Sequence, residues 1–296
     1  MSSVARYLDP ALLERLRTYQ LSARSVVEGT TLGQHRSPVR GASVEFRQHR
    51  AYVPGDEPRR LDWRVLARTD RPYVREYHEE TNLRCMLLLD RSGSMSYRGR
   101  GRASKFDYAA KVVASLAYLM LNSGESVGVA TCGQRIEHWL GPHAATQQLA
   151  RVIDVLERTS PADRSDIARA MHDAADRIGR RSLLVVVSDL LSDVGPLRAA
   201  LSRLRHARHE LIVLRVLDDD EIAFPFDRWL RLRGLEGEGT RLCEPAIVRQ
   251  QYQAAFAEHE KALHGACRAA DVEVHTFVTS RDLGDAMSGF LKHRAR

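Results

Sequence analysis

The stretch Arg84-Cys85-Met86-Leu87-Leu88-Leu89-Asp90-Arg91-Ser92-Gly93-Ser94-Met95 decides the fold. An apolar run of strand length ends on an acid and passes into a short Ser-Gly-Ser loop. Outward from it, further apolar runs of strand length alternate with stretches of helical period, the pattern of βα units around a mostly parallel sheet. The strands are expected at 84–90, 127–131, 135–140, 182–188, 211–217 and 272–278. Between them, Phe106, Ala110, Val113, Ala117 and Met120 share one helical face, as do Ile167, Met171, Ala174 and Ile178, then Leu197, Leu201 and Leu204, then Leu283, Met287 and Phe290. Each stripe should face the sheet. Cys132-Gly133-Gln134 is too short for a parallel crossover, so the strand after it should return antiparallel at the sheet edge. Residues 84–296 thus read as an α/β domain, doubly wound and mostly parallel with one antiparallel edge strand. The segment 218–245 interrupts the alternation; its Glu236-Gly237-Glu238-Gly239 reads as a turn between two short extended pieces, before a long helix over about 246–270. Residues 1–83 read as a small lobe, with an amphipathic helix over 10–27 followed by a Gly-, Pro- and Arg-rich stretch carrying short strands.

Composition agrees with a folded chain. It has 296 residues, 44% hydrophobic and 28% charged, enough for a sizeable core. Its apolar runs fall far short of the roughly 20 residues of a membrane helix, and its amino terminus breaks to charge and Pro where a signal peptide has its apolar region. A cytoplasmic protein is expected. Four scattered cysteines, 85, 132, 243 and 267, form no C-x-x-C pair and read as reduced, mostly buried thiols. The net charge of +7 favours an acidic partner without naming one. Only four basic residues are Lys, and such an Arg excess reflects genome composition as readily as phosphate binding.

Asp90, Ser92 and Ser94 form an Asp-x-Ser-x-Ser spacing at the carboxyl end of the first central strand, where α/β sheets place ligand sites. One carboxylate and two hydroxyls along an irregular loop can point at one centre, and hard oxygen donors suit Mg²⁺ or Mn²⁺. The alternative is a helix N-cap, with the hydroxyls bonded to free backbone N–H groups. Two further strand-end loops, at Ser165 and at Asp189, can complete a metal set. Asp163 and Asp166 read as capping or solvated. Together Asp90, Ser92, Ser94, Ser165 and Asp189 resemble the metal-ion-dependent adhesion site of von Willebrand factor A domains, and the order of strands and helices over 84–296 resembles that family too. The family usually carries Thr where this chain has Ser165; a Ser hydroxyl still coordinates, with less rotamer restriction.

A second dense motif, Glu45-Phe46-Arg47-x-x-Arg50-x-Tyr52-x-Pro54-Gly55-Asp56-Glu57-x-Arg59-x-Leu61-Asp62-Trp63, precedes that domain. Pro54-Gly55-Asp56 makes a tight turn and Asp62 can cap a helix begun by Trp63. Trp63 is expected to be buried between the two lobes. The motif, with Asp90-Arg91-Ser92-x-Ser94-Met95 and Ser188-Asp189, resembles the bacterial domain of unknown function 58 family over nearly the whole chain. That resemblance implies a metal-dependent protein–protein interaction module, an adaptor working with a MoxR-type AAA+ ATPase on a client that supplies an acidic residue.

No Gly-rich phosphate loop, H-E-x-x-H or G-x-S-x-G occurs. No enzymatic turnover is expected, and a metal-dependent hydrolase is the most distant alternative. Nucleic-acid binding is the competing class, resting on the basic balance and on Arg98-Gly99-Arg100-Gly101-Arg102. That tract should rim the metal face instead, where positive charge steers an acidic protein surface.

Overall fold

The strand that ends on Asp90 is buried from Cys85 onward, and it is an inner strand of the six-stranded sheet. The computed structural model describes residues 3–16, 19, 21, 44–52, 62–79, 83–100, 102–162, 164–179 and 181–294. In chain order the elements are α1 (Ser3–Tyr7), α2 (Pro10–Leu16), β1 (Val44–Ala51), α3 (Trp63–Thr69), β2 (Tyr73–Glu79) and β3 (Arg84–Asp90). A 3₁₀ turn, Gly93–Ser96, leads to α4 (Lys105–Asn122), β4 (Ser126–Cys132), β5 (Ile136–His143), α5 (Gln148–Arg158) and α6 (Ile167–Arg177). Then come β6 (Leu183–Ser188), α7 (Val194–His206), β7 (Glu210–Leu217), α8 (Asp219–Ala223), β8 (Leu230–Arg233), β9 (Thr240–Cys243), α9 (Pro245–Ala269), β10 (Glu273–Val278) and α10 (Leu283–Arg294).

Six strands form one sheet in the order β10-β7-β6-β3-β4-β5. All neighbours run parallel except β4 and β5, which pair antiparallel across the short 133–135 turn, as the loop length requires. The fold is therefore α/β, doubly wound, with a single reversed edge. That edge is clamped by the buried amide of Gln148, which donates to Val127 O at 2.8 Å and Gly141 O at 2.9 Å. Alternate residues of β3 enter different cores, because successive side chains of a strand point to opposite faces. Cys85, Leu87 and Leu89 pack with α4, α5 and α10 residues such as Val113, Ile153 and Met287. Met86 and Leu88 pack with Met171 of α6, Leu201 of α7 and Leu263 of α9.

Two compact units result, Met1–Ser25 with Leu83–Arg296, and Val26–Asn82. The expected lobe of residues 1–83 therefore divides, its first 25 residues grouping with the large unit. Leu8, Leu12 and Leu16 supply the reason, since they are buried in the same cluster as Met287, Phe290 and Leu291 of α10. Arg15 adds ion pairs to Asp282 at 3.0 Å and Asp285 at 2.5 Å. Helix α2 ends at Leu16, short of the expected Val27; Tyr19 and Leu21 are not helical, and 17, 18, 20 and 22–27 lie outside the described residues.

In the smaller unit β1 pairs antiparallel with β2, with an irregularity between Phe46 and Gln48. Asp62 caps α3, accepting from Val65 N–H at 3.3 Å. Trp63 is 64% exposed, which corrects the expectation of a buried ring. Its neighbour Asp62 is the buried member, tied through its N–H to Tyr73 O at 2.8 Å, and the first helical position beside that anchor projects outward. The Pro54-Gly55-Asp56 turn and Arg59 lie outside the described residues, as does Asp163.

Candidate metal centre

Strands β3 and β6 are neighbours with Leu89 opposite Val187, so Asp90 and Asp189 leave the sheet side by side. A third segment is pinned to the same end. Arg91 N–H donates to Cys132 O and Ala162 N–H to Arg91 O, both at 2.9 Å, and the Arg91 guanidinium reaches Ser160 O at 2.8 Å and Glu137. Asp166 N–H donates to Gly133 O at 2.9 Å, and the Asp166 carboxylate caps α6 by accepting from Arg169 N–H. Ser165, held between these anchors, joins the cluster. Asp90, Ser92, Ser94, Ser165 and Asp189 all line one pocket, together with Leu191 and Ser192.

The hydroxyls are not spent on capping. Ser92 occupies the N-cap position of the 3₁₀ turn without a side-chain cap bond, and its Oγ lies 2.9 Å from Ser94 Oγ. Asp90 Oδ1 accepts from Ser92 N–H at 2.8 Å and Oδ2 from Ser188 Oγ at 2.6 Å, while Ser165 bonds the same carboxylate. Asp189 is bonded by Ser94 and takes the Lys105 ammonium at 2.7 Å. Lys105, fully buried, also reaches Glu221 at 2.5 Å.

The two carboxylates differ in charge balance. Burial, and then the charge of Asp189, push the Asp90 carboxyl up, against the pull of its hydroxyl and N–H donors. Burial acts on Asp189 in the same direction, but the Lys105 ammonium outweighs it and holds that carboxyl below the usual range. Among the described residues no cation pairs with Asp90. A buried carboxylate served only by neutral donors, beside hydroxyl oxygens and a second carboxylate, fits a hard divalent cation, and such a donor set matches Mg²⁺ or Mn²⁺ in kind.

Three participants fall outside the residues that the sequence points to as ligands. Ser188 donates to Asp90 Oδ2 at 2.6 Å yet reads as the last residue of a strand and a member of the family motif. Lys105 starts an otherwise apolar helical stripe, where a cation is disfavoured by the helix dipole, and that mismatch was the available clue. Glu236, in the turn between β8 and β9, lines the pocket and accepts from Ser94 N–H at 3.3 Å. In the basic tract Arg102 is committed to Asp218, Asp219 and Asp220, at 2.6, 2.9 and 3.3 Å, whereas Arg98 and Arg100 are exposed.

Residues 48–262 match the family model described as Protein of unknown function DUF58. The chain is 28% identical to the uncharacterized protein Mb1516 of Mycobacterium bovis, over 97% of this chain and 91% of that one. Among solved structures it is similar to the conserved hypothetical protein BatB from Bacteroides thetaiotaomicron, with 15% identity, a TM-score of 0.45, and coverage of 71% of this chain and 98% of that one. The SpRpn10 VWA domain is similar at 12% identity and a TM-score of 0.41, covering 69% and 93%. Among the described residues no helix is long and apolar enough to cross a membrane, and the four cysteines are free thiols.

Proposed function

The chain belongs to the DUF58 family, and from that premise we propose that it is a metal-dependent protein–protein interaction module, without enzymatic turnover, whose metal centre is Asp90, Ser92, Ser94, Ser165 and Asp189. The observation that carries the reading is the convergence of these five residues, from three separate loops, on one pocket. Mg²⁺ or Mn²⁺ held there supplies a positive centre for an incoming carboxylate. Neutral hydroxyls add no charge, and Lys105 already offsets Asp189, so the bound cation keeps its attraction for an acidic side chain from a partner. The reading extends to an adaptor in the cytoplasm that joins a MoxR-type AAA+ ATPase to a client supplying that acid.

The test is capture of the purified MoxR-type ATPase of the same organism by the full chain. Binding is expected in Mg²⁺ and is expected to fall with chelator and with Ser92→Ala. Capture that ignores both would assign recognition to another surface and end the metal-dependent reading.

A further inference from the structure

The turn between β8 and β9 lies directly on the metal loop. A Cβ built on Gly93 would stand 2.0 Å from Leu235 O, so only glycine lets the two backbones approach this closely. Glu236 Oε1 then accepts the Ser94 N–H. Arg164, next to Ser165, holds the turn from the other side, donating through Nε to Glu236 O at 3.2 Å and standing 3.9 Å from Glu238. The turn is closed internally by Gly234 N–H to Gly239 O at 2.7 Å and by Glu236 N–H to Glu238 Oε2 at 3.0 Å. Gly237 and Gly239 sit at φ +92° and +83°, which an L side chain rarely adopts. Sequence-distant by 142 residues, a carboxylate is thus delivered to the mouth of a pocket built from Asp90, Asp189 and three serines.

We propose that Glu236 is a direct ligand of the divalent cation, filling in the same chain the coordination position that the preceding section gives to a partner's carboxylate. The inference rests on that metal reading. Glu236 meets the requirements of such a ligand: it is a hard oxygen donor, it is half-buried at the pocket, and its turn is fixed to both the Ser92–Ser94 loop and the Ser165 loop. A partner acid and Glu236 then compete for one position, and a client binds by displacing the turn.

Mn²⁺ binding is the probe, followed by titration calorimetry and by water-proton relaxation, which counts waters on the bound ion. Glu236→Gln keeps an oxygen able to accept from Ser94 N–H and removes the charge, so the turn retains its anchor. With Glu236 a ligand, this variant binds Mn²⁺ at least about tenfold more weakly than wild type, and its bound ion carries an additional water. Unchanged affinity and unchanged relaxation, with binding still abolished by Asp90→Asn, would overturn the role of Glu236 and leave the metal centre standing. Failure of wild type to bind, or equal binding by Asp90→Asn, would overturn both.

Discussion

Lys105 shows how much a single residue contributes to this site. Its ammonium is fully buried between Asp189 and Glu221, and burial is outweighed by those two charges, so its pKa is raised. Removing one partner of a buried charge cluster leaves the others desolvated and unpaired. Lys105→Met is therefore expected to destabilise the large unit by about 3–5 kcal/mol, read by denaturant unfolding. A loss within the range of an ordinary surface substitution would show that Asp189 and Glu221 are served by solvent instead. Asp90, Ser92 and Ser94 were legible because their spacing is local and sits at a strand end. Lys105 was not, since its partners lie 84 and 116 residues away and nothing nearby in the chain records the pairing.

At the scale of elements, the six strands of the main sheet were readable from their apolar runs, and the reversed edge from a turn too short for a crossover. Helix α2 was readable as amphipathic, but its destination was not. Periodicity reports that a helix has an apolar face and is silent on which face receives it, here α10 through Leu12, Leu16 and Phe290. The hairpin β8–β9 was likewise legible as two extended pieces and a turn, while its seat over the Ser92–Ser94 loop depends on the contact between Gly93 and Leu235. Gly93→Ala must push that backbone away, because a methyl group cannot stand at 2.0 Å from a carbonyl oxygen. Trypsin should then cut faster at Arg233 and Arg241, which flank the turn, than in wild type. Unchanged cleavage would mean that the hairpin is held elsewhere.

Over the whole molecule, Met1–Ser25 and Leu83–Arg296 form one unit and Val26–Asn82 another, so the amino terminus contributes to the core of the unit that carries the Ser92–Ser94 loop. The family motif around Tyr52 and Asp62 belongs to the smaller unit. Exposed Trp63 in that unit shows the limit of reading an aromatic within a dense motif as core, because position within a helix decides which way a ring projects. The larger unit carries every residue of the proposed centre, and its fold places them by adjacency of β3 and β6 and by the anchored loop before α6.

The central claim, that these five residues hold a divalent cation, is tested most directly by calorimetric titration of Mg²⁺ into the wild-type chain and into Asp90→Asn, a variant of nearly the same shape that removes the charge. The account predicts one saturable site in wild type and none in Asp90→Asn. Equal binding by both proteins, or no binding by wild type, would contradict it.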